Sequence, residues 1–272
     1  MAECGLLNLA TCLPEKFFQY LVSIINAPIK PLLSLVKNLL SEPINLSLFV
    51  SLWAIIIYMI SMFYGLLLLY SGFNFMISGY DVQKREQAKA WLRNIVIMVV
   101  LIQSSFLIYE LAIEISSILT TTILSLLDKN FFLLTFDNII NIGLQLIFFF
   151  VYLLALLLTA IILIIRYVIV AVGVVFFPIA IFFYFIPPLR QYGSLILNFL
   201  GIAIFITFFD SIILIGFSKL LEIQLFSTMK ILVMISAFLF IDALMFFLMF
   251  FSIIKSGMNI ATKVGGVIAR FT

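Results

Sequence analysis

Residues 70–94 read Tyr-Ser-Gly-Phe-Asn-Phe-Met-Ile-Ser-Gly-Tyr-Asp-Val-Gln-Lys-Arg-Glu-Gln-Ala-Lys-Ala-Trp-Leu-Arg-Asn. A long apolar run closes on Ser78, Gly79 and Asp81, and a second apolar run opens at Ile95. Between positions 81 and 93 stand six charged residues, in a chain that holds only 15 basic and 12 acidic ones. Asp81, Arg85, Lys89 and Arg93 recur every fourth residue, so they share one face of a helix, with acid ahead of base in the favourable order. The pattern predicts two helices that pair as a membrane hairpin with a charged end.

The rest of the chain fits such a hairpin. Of 272 residues, 65% are hydrophobic and 10% charged, and the mean hydropathy is +1.33. A soluble domain of this length cannot cover so much apolar surface; lipid or a large assembly must. At roughly 20 apolar residues per crossing, the expected fold is an all-α polytopic bundle of about six spans, at 46–76, 95–119, 139–165, 167–186, 194–218 and 231–254. The basic stretch is expected to run unbroken into the second span. The apolar block 139–186 is too long for one crossing and is interrupted only by Arg166, so a turn is expected there. Gly173 and Pro178 are the alternative breaks, and Pro187-Pro188 close the fourth span.

The N-terminal part, 1–45, reads as two short amphipathic helices. In 15–27, Phe17, Phe18, Leu21, Val22 and Ile25 share one face; Pro28 and Pro31 end it, and 32–40 repeats the pattern. These helices lie along the membrane surface or form a cap packed on the bundle. Ser41 is the expected cap of the first span, with Pro43 in its first turn. The chain starts without a basic n-region, so no cleaved signal is expected. Residues 255–272 form a basic tail with Lys255, Lys263 and Arg270. Cys4 and Cys12 are the two cysteines, bridged if they face an oxidising exterior and free thiols otherwise.

Lys and Arg in short loops set orientation. Lys84, Arg85, Lys89 and Arg93 against Lys129 alone in the next loop put the first hairpin's end in the cytoplasm and the N-terminus outside the cell membrane. Six spans would put the tail outside too; its own three positive charges argue against this, and so do Lys16, Lys30 and Lys37 at the start.

Ionisable residues within the apolar runs are the candidate functional groups. Glu110 and Glu114 lie one turn apart on the second span, Asp210 late in the fifth, and Asp242 near the middle of the sixth. Arg166 is the one basic residue placed to pair with them. A charge at bilayer depth costs roughly 2.5–3.5 kcal/mol unless paired or wetted. Three readings stand side by side: lining of an ion or substrate path, hydrogen-bonded glue between helices, or, for Glu114 above all, a position nearer the interface. No histidine, metal-ligand cluster or Gly-rich phosphate loop accompanies them, so neither an enzyme nor a cofactor is expected.

The stretch from Tyr70-Ser71-Gly72 through Ser78-Gly79-Tyr80-Asp81 to Lys84-Arg85-Glu86-Gln87-Ala88-Lys89-Ala90-Trp91-Leu92-Arg93 resembles the membrane subunits of type IV secretion systems. Arg166-Tyr167-Val168, then Phe177-Pro178-Ile179-Ala180, then Pro187-Pro188-Leu189-Arg190 agree with the TrbL/CedA-type polytopic subunits, whose archaeal members serve DNA import. The resemblance covers about 46–255. It implies a channel or platform subunit of a conjugation-like DNA transfer apparatus, assembled as a homo-oligomer beside a separate transport ATPase and pilin-like subunits, with DNA as the transported substrate. Lys84, Arg85, Lys89 and Arg93 would then contact the ATPase or DNA phosphates, or serve topology alone. The alternative is a small secondary transporter or ion channel working through the intramembrane carboxylates. A third reading is a scaffold that anchors a pilus without a pore.

Overall fold

The computed structural model describes residues 9–127, 132–133, 142–227 and 229–268. Among these residues the chain is helical, without strands: α1 Leu9–Ser41, α2 Val50–Ile77, α3 Val82–Gln103, α4 Ser105–Leu124, α5 Ile142–Phe185, α6 Arg190–Leu220, α7 Gln224–Ser227 and α8 Lys230–Ile268. Five stretches are long and apolar enough to cross a membrane: Ser47–Ile77, Ser105–Leu124, Phe148–Phe185, Arg190–Leu220 and Lys230–Phe251. The protein is a multi-pass membrane protein. Cys4, Asp128, Lys129, Asp137 and Arg270 lie outside the described residues, and with Cys4 the question of a Cys4–Cys12 bridge.

The first span begins close to its expected position, but its cap differs. α1 ends at Ser41, whose hydroxyl donates back to the Lys37 carbonyl at 2.7 Å. Neither Leu46 nor Phe49, at the N-caps of the opening turn and of α2, caps through its side chain; Asn45 just ahead accepts from the Ser47 amide at 3.0 Å. Nor is α1 two pieces: it runs through Pro28 and Pro31 as one helix. Each proline removes one backbone hydrogen bond, and tertiary burial offsets the loss. Ile29, Val36 and Leu40 are all buried along one stripe, and the Ser117 hydroxyl donates to the Ser41 carbonyl at 2.7 Å.

α3 starts on Asp81, whose carboxylate accepts from the Gln83 and Lys84 amides at 2.9 and 3.4 Å. It packs back along α2. Ile57 and Ile60 of α2 meet Ile95, Met98 and Ile102 of α3 in one buried cluster, and Tyr70 sets its ring edge-on to Trp91 at 6.4 Å. The helix does not continue unbroken through 95–119 as expected. It is interrupted at Ser104, whose hydroxyl donates to the Val100 carbonyl at 2.8 Å. Such back-bonding competes with the helical ladder and bends helices. The next residue, Ser105, is fully buried and accepts the Trp53 indole N–H at 2.9 Å.

The largest departure concerns the block expected to hold two spans, 139–165 and 167–186. α5 is one helix of 44 residues, about 66 Å at 1.5 Å per residue. It passes Arg166, Gly173 and Pro178 without a break; only Pro187 and Pro188 stand in a turn. A turn inside this block would leave backbone groups to be satisfied by neighbours, and residues 160–170 supply no Gly, Pro or Asn to form one. The tail also remains helical as far as Ile268.

The chain divides into two compact units. One comprises Met1–Glu42, Ser117–Ile165 and Thr207–Met245; the other Pro43–Ser116, Arg166–Ile206 and Phe246–Thr272. In the first, Phe238 of α8 packs against Tyr152 and Phe132, with ring centroids 5.9 and 5.7 Å apart. In the second, the α2–α3 cluster is joined by a cluster of Tyr109 and Ile113 of α4, Val170 and Val174 of α5, and Leu200 and Ala203 of α6.

Candidate functional site

The basic end of the hairpin takes the helical form expected for it. α3 buries Ala88, Ile95, Met98 and Ile102, and leaves Lys84, Arg85, Lys89 and Arg93 exposed. Lys89 pairs with Glu86 at 3.0 Å and Lys84 with Asp81 at 3.8 Å, both at the surface. Exposed pairs of this kind contribute roughly 0.2–1 kcal/mol, so the four cations stay available to a polyanion.

Arg166 is buried at 5% exposure. Its guanidinium donates to two successive backbone carbonyls of α6, Nε to Ala203 at 2.7 Å and Nη2 to Ile204 at 2.9 Å. The Ser116 hydroxyl of α4 donates to the same Ile204 carbonyl at 2.7 Å. The Tyr109 hydroxyl donates to the Val170 carbonyl at 2.7 Å. These bonds join α4, α5 and α6 into one polar knot, and each uses a carbonyl as acceptor. Arg166 thus clamps α5 to the backbone of α6 through carbonyl acceptors. Ser116 and Tyr109 were missed in the sequence; a lone Ser or Tyr in a long apolar run carries no pattern of its own.

The carboxylates separate into two kinds. Glu110 and Glu114 share one side of α4, as their spacing requires, but it is the side away from the buried Tyr109, Ile113 and Ser116. Glu110 is half-buried and Glu114 exposed. Asp210 on α6 is fully buried, and Asp242 on α8 is 5% exposed. Asp242 faces the Thr159 hydroxyl of α5, which donates to the Ala155 carbonyl at 3.0 Å. Neither Asp242 oxygen meets a hydrogen-bond partner with good geometry among the described residues. No group of three or more His, Cys, Asp or Glu capable of holding a metal occurs among the described residues.

The two glycines that matter lie where helices touch. A Cβ on Gly173 would meet the Tyr109 hydroxyl and, at 2.5 Å, Leu200 Cδ2. A Cβ on Gly193 would meet the Tyr184 amide nitrogen and, at 2.6 Å, the Ala180 carbonyl oxygen. Gly173 is thus a close-contact residue inside α5 and not a helix break.

Comparison of the chain with protein-family models, with curated proteins and with solved structures finds no match.

Proposed function

We propose that this protein is a cell-membrane channel or platform subunit of a conjugation-like DNA transfer apparatus, acting as a homo-oligomer with a separate transport ATPase and pilin-like subunits. The observation that carries the reading is the outer face of α4. Glu114 is the tenth of 20 residues in a helix long and apolar enough to cross a membrane. It is exposed, with Glu110 one turn away and apolar Leu107 and Leu111 around it. A carboxylate that faces lipid within a crossing segment costs roughly 2.5–3.5 kcal/mol or more. Copies of the chain arranged with this face toward a shared aqueous axis remove that cost. The exposed cations of α3 then present a docking face for the ATPase or for DNA phosphates, where binding is sequence-blind and salt-sensitive.

Orientation follows from the same loop. Lys84, Arg85, Lys89 and Arg93 place the hairpin's end in the cytoplasm. Pro187 lines the same cavity as Ser78 and Lys84, so the α5–α6 turn with Arg190 shares that side. Five crossings put the N-terminal side outside and the tail, with Lys255, Lys263 and Arg270, in the cytoplasm. Tail charge and hairpin charge then agree, as they do not with six spans.

A single-chain transporter or ion channel is the second reading, favoured by the burial of Asp242. DNA transfer measured in cells separates the two. Glu114→Leu is expected to abolish transfer with the protein still in the membrane, and Asp242→Leu to lower it only as far as it lowers protein level. Wild-type transfer by Glu114→Leu removes the support for the first reading. Loss through Asp242→Asn at normal protein level favours the second.

A further inference from the structure

An open cavity of about 510 Å³ lies at the charged end of the α2–α3 hairpin, within the range typical of small-ligand sites. Its polar lining comes from Tyr70, Asn74, Ser78, Lys84, Gln87 and Trp91. Every one of these can donate a hydrogen bond, Lys84 carries a positive charge, and no Asp or Glu lines the space. Of the neighbouring acids, Asp81 caps α3 and stands 3.8 Å from the Lys84 ammonium in an exposed pair, and Glu86 pairs with Lys89. The Trp91 indole N–H is sequestered from solvent and has no acceptor among the described residues, an unmet donor of the kind that folded proteins satisfy with a ligand or water. A cation and an unmet indole donor, with amide and hydroxyl groups beside them and no carboxylate on the lining, suit the cavity to an anion. Its level in the chain identifies the source: Tyr70 and Trp91 form an aromatic pair where an apolar helix meets a basic one, the composition of a membrane–water interface.

We propose that this cavity binds the phosphate headgroup of an anionic phospholipid from the cytoplasmic leaflet. Lys84 supplies the charge, Asn74 and Gln87 the amide donors, and Trp91 an indole donor beside them. The lipid locks the hairpin's end to the α5–α6 turn at Pro187, which closes one wall. The inference rests on the protein's being in a membrane and on the proposed cytoplasmic side of the hairpin's end, not on DNA transfer, so lipid binding and DNA transfer can fail separately.

Native mass spectrometry tests it on the full chain, released from vesicles of phosphatidylcholine with phosphatidylglycerol. The expected result is selective retention of phosphatidylglycerol. Lys84→Gln should weaken that retention about tenfold or more, the size of a lost charged hydrogen bond, while Lys84→Arg keeps it. Arg85→Gln, with the same loss of charge outside the cavity, should also keep it. Equal retention of the two lipids overturns the proposal, as does an equal loss from Lys84→Gln and Arg85→Gln. Displacement of phosphatidylglycerol by millimolar inorganic phosphate assigns the site to free phosphate and overturns the lipid source. If Lys84→Gln does not fold, Gln87→Leu, expected to lower retention with the charge intact, decides the matter in its place.

Discussion

At the residue scale, two of the glycines of α6, Gly193 and Gly201, make opposite predictions. Gly193 faces backbone atoms of α5, the Tyr184 nitrogen and the Ala180 oxygen, which have no rotamer to change. Gly193→Ala must push the helices apart, and overpacking of this kind costs about 1–3 kcal/mol. Gly201 has nothing within 4 Å of an added Cβ; Gly201→Ala replaces a poor helix former with the best and should gain up to about 1 kcal/mol. Thermal melts in one detergent should move in opposite directions. If Gly193→Ala melts with the wild type, α5 and α6 do not approach as described. Both glycines are plain in the sequence, and nothing there separates them. What separates them is the neighbouring helix, which a single strand of text does not contain. Arg166 offers the converse lesson. Its cost in an apolar run was legible, whereas its acceptors, the carbonyls of Ala203 and Ile204, lie on another helix.

At the element scale, α5 decides the topology. The hydropathy of 139–186 is that of two spans, and Arg166 stands where a turn would go. A buried arginine whose donors reach carbonyls of α6 needs no turn, so the helix continues for 44 residues. The consequence can be measured in a chain carrying Cys4→Ser and Cys12→Ser. Single cysteines introduced at Gln87, Arg190 and Lys255 should all resist an impermeant thiol reagent in intact cells, and one at Asn130 should react. Labelling at Arg190 together with protection at Gln87 would restore a crossing between them and sink the five-span arrangement. The break at Ser104 has the same origin. Gln103, Ser104 and Ser105 stand in a run expected to be one unbroken helix. Tertiary contacts gave Ser105 a partner in Trp53, and Ser104 bonded back to its own helix.

At the scale of the whole molecule, the unmet requirements of one chain point to its neighbours. Much of the apolar surface of α2 and α8 is exposed, which lipid satisfies. The carboxylate of Glu114 on α4 is exposed as well, and lipid does not satisfy it. Glu114→Cys in the cysteine-free chain should therefore cross-link copies of the protein on oxidation in membranes. A cysteine at Leu66 on α2, equally free but without a polar neighbour of its own helix face, should cross-link far less. Cross-linking at Leu66 and none at position 114 would overturn the assembly through α4.

The sequence by itself determined the class, the charged hairpin and its two partner helices, because these depend on local quantities. Hydropathy over about 20 residues, helical spacing of charges and a capping Asp81 are all read within a few turns. It also singled out Arg166, Asp210 and Asp242, which the structure buries. Only the tertiary structure decided whether a residue that can break a helix does so. Pro28, Pro31, Gly173 and Pro178 remain within helices and Ser104 interrupts one, because the loss of one backbone bond is small beside the packing that neighbouring helices supply or withhold. It alone decided which face of α4 carries Glu114 outward and which donors gather around the cavity at Trp91, since those depend on contacts between residues far apart in the chain.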